Sequence, residues 1–553
     1  RYCCTRKRVI DTISENNLMD LNTILRFLVI ISCISLIVRV LISRTNWGWL
    51  GVATGILGIT LSCFLLIPEK SGIIGGILWL VFVLVPIIGL RQVNYFIYQE
   101  KFQHAKKLAS LLSWLHPADG WQKQPQFLRV LELTKTGELE AAERILTQSL
   151  QNPSYGFQDT AKAIRFRMEA QWEDCLNWFQ TEISYEKLWQ NSTLAIVYLR
   201  TLGEVGDLNG LIWAVKSHQR QLQSLSGMTV NLARLYVFAF TGDVDAVKQL
   251  FASTLKNYPR NKQKFWLATA EIAAGNQEVG QTILFNIENK DLALERAIVS
   301  RLNQSVTQVE SVLIPESEPI ITALKKDLQE ELNYGGAIRL APTKANLTYS
   351  LMLLNSLVFL LEIYQGGSQN IETLYQMGAA VPNAIISGEI WRIFTANFLH
   401  YGSIHLTSNL LGLWILGPYV EFYLGWICYL IIYVISGISA ISIFTIVTFN
   451  IGQGDEILVG ASAAIMGLMG ATLIILWRGW KQEKSKIAQE RLRLVLVIIG
   501  LQTIFDLSIA NVSFLGHFFG LIFGMLTTGL MFSLVFPRSK PSFASNHVSK
   551  NRN

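Results

Sequence analysis

The sequence predicts an all-α, polytopic membrane protein: an N-terminal membrane-anchor block, a soluble α-solenoid and a six-helix membrane bundle. Three observations carry this. Apolar runs close to the ~20 residues that a helix needs to cross the hydrocarbon core occur in two separate blocks. The polar stretch between them keeps helical periodicity and shows little β-type alternation. Mean hydropathy is high for a soluble chain, at +0.33, although only 51% of the 553 residues are hydrophobic. The apolar residues must therefore be concentrated in particular segments.

After a tail (1–23), the first block (24–92) holds runs at 24–42, 49–67 and 73–90, joined by turns too short to fold. Only Arg26 and Arg39 interrupt them. Both lie near the ends of the first run, where a long side chain can snorkel. With no carboxylate or histidine inside these runs, the block reads as an anchor. No cleavable leader is read at the start, because the first apolar run comes late and others follow at once.

The middle segment (95–335) carries one recurring element. Gly137-Glu138-Leu139-Glu140 is echoed at Gly206-Asp207-Leu208, Gly242-Asp243-Val244 and Gly275-Asn276-Gln277. A degenerate copy starts at Ala170, so the starts are 33, 36, 36 and 33 residues apart. A small residue makes a tight turn, and an apolar residue two places later opens the next helix. The spacing resembles a divergent tetratricopeptide solenoid, which implies a concave surface for a protein or peptide partner. Trp172, Trp178, Trp189, Trp213 and Trp266 are expected between helices, in the core.

The C-terminal block (345–537) holds six runs at 347–363, 404–423, 427–448, 457–477, 492–507 and 512–536, followed by a tail (538–553). Lys481, Lys484, Lys486 and Arg491, and beyond the last run Arg538 and Lys540, place those loops on the cytoplasmic side. The solenoid then lies in the cytoplasm, with the start of the fourth run near the opposite face of what is expected to be the plasma membrane. Three N-terminal spans would put Arg1, Arg6, Lys7 and Arg8 outside, against the same rule. The net charge of +7 comes mostly from such short basic loops, so no nucleic-acid partner is expected. The six cysteines have no framework spacing and indicate neither a disulfide scaffold nor a metal site.

Chemistry concentrates in this block. Ser462 stands in Gly460-Ala461-Ser462-Ala463, and His517 in Gly516-His517-Phe518-Phe519-Gly520. A histidine in an apolar span is costly and points to function, and a serine needs a base to become a nucleophile. Ala463, Gly467 and Ala471 stripe the fourth run and Gly516, Gly520 and Gly524 the sixth, a small-residue pattern that lets membrane helices approach closely. His405 and Asn409, four apart, share one helix face and could hold an oxyanion together with the Ser462 N–H. No His-Glu-x-x-His helix supports a zinc protease. Gly452-Gln453-Gly454-Asp455 lies in a polar loop and reads as a turn.

These motifs, in order, resemble the rhomboid intramembrane serine proteases: Trp391-Arg392 in the long first loop, His400, His405 and Asn409 opening the second run, Gly417, Glu421 and Gly425 at its end, then Ser462 and His517, with Gly524 beyond. The resemblance implies a catalytic dyad of Ser462 and His517, with Asn409, His405 and the Ser462 amide holding the oxyanion. Gly460, Gly467, Gly520, Gly524, Trp391, Arg392 and Glu421 support them. It implies membrane-spanning protein substrates and no metal or cofactor. Because a dyad needs no acid, Asp506 reads as a loop or cap residue; His400 reads equally as a loop residue at headgroup level. Ala463 replaces the family's usual glycine after the nucleophile. Gly516 and Phe519 stand where the family usually has Ala before the histidine and Gly two after it. These departures keep a second reading alive, an inactive rhomboid-like scaffold that binds client proteins.

Overall fold

A computed structural model of the chain describes residues 21–43, 46–116, 118–119, 121–138, 140–142, 144–145, 157–288, 291–303, 312–335, 345–508 and 513–534. Residues 1–20 of the N-terminal tail, most of the linker after Gly335 and the C-terminal tail lie outside them. Among the described residues every regular element is helical, apart from one isolated antiparallel bridge between Ala380 and Leu458. They divide into two compact units, one covering Leu21–Asp327 and the other beginning at Leu328.

In the first unit, the three apolar runs form helices Leu21–Ser43 and Gly48–Leu66 and a third that runs from Ser71–Trp79 through a π turn at Leu80–Leu84 into Val85–Tyr98. Val29, Cys33, Ala53, Ile56 and Val83 form a small core between them. The third helix outruns its apolar segment, and Val93 joins Phe102, Ala105, Leu112 and Leu128 in the core of the polar helices that follow.

Helix–turn–helix units then recur where the sequence pattern placed them. Each recurring turn residue has a positive φ: Gly137 84°, Ala170 55°, Gly206 87°, Gly242 76° and Gly275 85°. Glycine takes that conformation without a Cβ penalty and so closes the preceding helix. The aspartates beside two of them open the next one. Asp207 Oδ1 accepts from Gly210 N at 2.8 Å, and Asp243 Oδ1 from Ala246 N at 3.2 Å. A Cβ on Gly242 would also stand 2.8 Å from Ala274 N, on the turn of the next unit. Trp172, Trp178, Trp189 and Trp266 are buried as expected, whereas Trp213 is 45% exposed. Its helix, Leu208–Ser217, buries Leu208, Leu211, Ile212 and Val215 and leaves the Trp213 face outward.

The second unit contains the bundle helices α1 (Asn346–Tyr364), α2 (Gly402–Leu424), α3 (Trp426–Asn450), α4 (Ser462–Lys481), α5 (Lys486–Ser508) and α6 (Phe514–Leu534). Among the described residues, seven helices are long and apolar enough to cross a membrane: the three of the first unit, and α1, α3, α4 and α6. Helices α2 and α5 have the length, 23 residues each, but their polar and charged residues keep them out of this set. The reason is local: α2 carries His405, Asn409 and Glu421, and α5 begins with a basic turn and ends near Asp506. Leu413, Val420, Tyr433, Leu468 and Ile475 share one apolar core in this unit.

The long first loop is folded rather than open. Helices Ile371–Met377, Pro382–Ile386 and Arg392–Thr395 are pinned by Arg392, which is buried. Its guanidinium donates to Glu389 Oε2 at 2.6 Å and to the carbonyls of Tyr375 (2.6 Å) and Ala379 (3.0 Å). A rigid fork that meets three acceptors at once suits arginine and not lysine. Trp391, beside it, is half exposed.

Candidate functional site

Helices α4 and α6 meet backbone to backbone. A Cβ on Gly520 would overlap the carbonyl of Ala463, and a Cβ on Gly524 would overlap that of Gly467. Moving four residues along both helices repeats the same pairing, so the two run parallel and in register. Such an approach is open only to glycine, and it brings the N-terminal ends of α4 and α6 to one level. Ser462, the first residue of α4, and His517, in the first turn of α6, therefore lie at the same end of the pair.

Ser462 is half-buried, and its hydroxyl forms no hydrogen bond within the described residues. It does not cap its helix, because Ala461 holds the N-cap position and no side chain bonds there. The N–H groups of the first turn, at Ser462, Ala463 and Ala464, have no helical carbonyl to bond and carry the positive end of the helix dipole.

The turn before Ser462 is braced from the first loop. Ala380 and Leu458 exchange two backbone hydrogen bonds (3.0 and 2.9 Å), and Gly460 N donates to Ala396 O at 2.9 Å. Asn383 ties down the loop further back: its N donates to Gly454 O and its Nδ2 to Asp455 Oδ1, both at 2.9 Å. The Gly452–Asp455 segment is a turn, as its sequence indicates. Gly460 has φ +124°, which L side chains rarely adopt, and a Cβ there would stand 2.6 Å from His405 Nε2 and 3.4 Å from Asn409 Nδ2. The His405 ring and the Asn409 amide thus press against the loop two residues before Ser462. Asn409 is buried, and its Nδ2 has no hydrogen-bond partner among the described residues. A buried N–H left unbonded is costly unless something else occupies it.

His517 is nearly buried, and its Nδ1 lies 2.8 Å from Asp506 Oδ2. This corrects the reading of Asp506 as a loop or cap residue. It lies inside α5, is 6% exposed, and takes a second hydrogen bond from Gln502 Nε2 at 2.7 Å. Sequence distance hid the contact, since Asp506 and His517 stand on different helices. A carboxylate this deep in an apolar run was nevertheless a signal.

Glu362 gave a similar signal that went unused. It lies in α1, is fully buried, and its Oε1 accepts from His400 N at 2.9 Å. His400 is itself fully buried and packs edge-on against His405, with ring centroids 5.3 Å apart. It stands in the loop before α2 with its side chain enclosed by protein.

Glu421 belongs elsewhere. It accepts from Leu347 N (2.9 Å), Thr348 N (2.8 Å) and Thr348 Oγ1 (2.7 Å), capping the start of α1. It sits sixteen residues beyond His405 on α2, about 24 Å along the helix. Trp391 and Arg392 likewise stabilise the first loop and do not line the Ser462 turn.

The rhomboid domain family model matches residues 387–534, a range that includes α2 to α6. The chain is similar to the rhomboid protease GluP of Bacillus subtilis, 32% identical over 203 residues, which are 37% of this chain and 38% of that protein. It is similar to the putative rhomboid protease YdcA of the same organism, 33% identical over 159 residues, 29% of this chain and 72% of that one. It also resembles the inactive RHOMBOID-like protein 8 of Arabidopsis thaliana, 36% identical over 117 residues, 21% of this chain and 32% of the relative. The chain thus spans well under half the length of the first and third of these relatives. No solved structure matches it. With 72% of YdcA covered at 33% identity, the chain belongs to the rhomboid family.

Proposed function

We propose that the chain is an intramembrane serine endopeptidase that cleaves membrane-spanning proteins near the non-cytoplasmic face. The observation that supports this most is the glycine-tight pairing of α4 and α6. It brings an unbonded serine hydroxyl and a histidine to one level, beside the unpartnered Asn409 amide. Ser462 Oγ attacks the scissile carbonyl carbon while His517 Nε2 takes its proton. The oxyanion is held by Asn409 Nδ2, His405 and the Ser462 N–H. His517 then passes the proton to the leaving amine, and water hydrolyses the acyl-enzyme by the same route in reverse. In this reading the helix–turn–helix stack is a cytoplasmic, tetratricopeptide-like module that recruits a protein or peptide partner.

The departures at Ala463 and Phe519, together with the kinship to a relative named as inactive, favour one alternative, a client-binding scaffold. Cleavage of a tagged single-span substrate in proteoliposomes separates the two. Wild type should cleave, with EDTA lacking effect, while Ser462→Ala and His517→Ala should each lose at least about 10³-fold in rate while remaining folded. Folded wild type that is inactive across several substrates would support the scaffold, and cleavage surviving Ser462→Ala would sink the mechanism.

A further inference from the structure

We infer that the helical stack of the first unit holds a binding cavity for a phosphate dianion, either free or as the head of a small phosphomonoester. The inference does not depend on the protease reading.

The cavity, of about 60 Å³, lies among the polar helices that follow the third membrane helix. It has room for roughly five waters, the space of one phosphate. Four cations line it, Lys135, Arg167, Arg200 and Lys262, against two carboxylates, Glu100 and Asp291. Glu204, which pairs with Arg200 at 3.1 Å, also pairs with Arg301 at 2.7 Å; counting both leaves the excess at two positive charges. The two lining carboxylates are already committed. Glu100 meets Lys262 and lies 3.8 Å from Lys135, whose Nζ also donates to the Glu100 carbonyl at 3.1 Å. Asp291 Oδ1 caps the next helix by accepting from Leu294 N at 2.8 Å.

The remaining donors are unmet. The Arg200 guanidinium is held between rings, 4.8 Å from the centroid of Trp172 and 5.0 Å from that of Trp266. Rings over its face leave the N–H groups in its plane free to bond elsewhere. Its Nε donates to Glu204, but its two Nη groups have no hydrogen-bond partner among the described residues, although the side chain is only 13% exposed. Arg167 donates no hydrogen bond among these residues, and neither does the hydroxyl of Tyr236, a residue 3% exposed. Three helices, Phe157–Glu169, Ser192–Glu204 and Gly227–Phe240, thus bring unbonded donors to one cavity. Excess charge and unbonded donors are costly to enclose unless an anion answers them. Two arginine forks suit a tetrahedral oxyanion, and a dianion cancels the excess where a single carboxylate would cancel half of it.

Isothermal titration calorimetry tests this on the full-length protein in detergent at constant ionic strength. The probes are inorganic phosphate and glycerol phosphate, with succinate as a dicarboxylate control. Wild type should bind at least one of the two phosphates saturably at one site, and succinate at least tenfold more weakly. Arg167→Gln, at a half-buried side chain, should weaken phosphate binding at least about tenfold, and Tyr236→Phe, which removes only a hydroxyl, about threefold. Saturating phosphate should raise the thermal midpoint of wild type and leave that of Arg167→Gln unmoved. Glycerol phosphate bound tenfold tighter than inorganic phosphate would identify the head of an ester, and equal affinities a free phosphate; both support the site. Folded wild type that binds neither phosphate would overturn the inference. So would succinate bound as tightly as phosphate, or phosphate affinity unchanged in both Arg167→Gln and Tyr236→Phe. Because the readout is binding, it judges the cavity whether or not the chain cleaves any substrate.

Discussion

The two membrane blocks share a requirement for apolar helices and differ in what their interiors contain. In each of the three N-terminal helices only 17% of the apolar window is buried within the protein; in α4 the figure is 72%. Leu65 and Leu66, more than three-quarters exposed, need only an apolar surrounding, and almost any apolar residue could replace them. In α4 nearly every position touches protein, so size matters at each one. The polar groups divide in the same way. In the bundle, Glu362, Glu421 and Asp506 are buried and each is answered by a backbone N–H or a histidine. In the first unit the strong ionic cluster lies just beyond the third membrane helix, where Glu100 pairs with Lys262 and Lys135. One block is an anchor, and the other encloses a polar site at the cost of strict packing.

The largest expected effect falls on the enclosed polar site. Asn409→Ala should reduce kcat by about 10²- to 10³-fold, as for loss of one oxyanion donor. Because Asn409 Nδ2 has no hydrogen-bond partner among the described residues, the thermal midpoint should barely move. A large loss of stability with unchanged kcat would assign Asn409 to the scaffold.

The ionic cluster outside the spans gives the next effect. Burial alone pushes the Glu100 carboxyl up, but the neighbouring Lys262, Arg167 and Lys135 outweigh it and hold the group at about 2. A folded-state value below the unfolded one adds stability that is fully present above about pH 4.5 and lost as the pH falls toward 2. The contribution is on the order of 3 kcal/mol. Glu100→Gln should therefore flatten the acid limb of unfolding for the first unit and leave cleavage unchanged. An acid limb identical in the variant would remove Glu100 from the account.

Much of this was legible in the sequence, for physical reasons. Apolar length and small-residue spacing encode spans and close packing directly, so the helices and the α4–α6 contact follow from residues such as Gly467 and Gly520. The recurring Gly-Asp turns are local chemistry, a left-handed residue followed by a helix cap, and local chemistry survives in one dimension. The bond between Asp506 and His517 was not legible, because it depends on how two helices face each other and no periodicity records that. Glu421 shows the converse: it stands in the ordered motif set, yet its partners are the first amides of α1, far along α2 from Ser462. Order along the chain reports kinship and not proximity.

The smallest effects test the contrast between the blocks most directly, because the same substitution can be made in both. A Cβ on Gly524 would overlap the backbone of Gly467, whereas one on Gly55, in helix Gly48–Leu66, meets nothing within 4 Å. Valine at Gly524 must push α4 and α6 apart, and backbone has no rotamer with which to yield. Gly524→Val should therefore cost about 1–3 kcal/mol of stability in detergent, with cleavage falling as Ser462 and His517 separate. Valine at Gly55 adds apolar surface to a lipid-facing helix and should change stability by less than about 0.5 kcal/mol. Equal costs at the two positions would mean that the N-terminal helices are packed against protein in the membrane, as α4 is. That result would end their reading as a simple anchor.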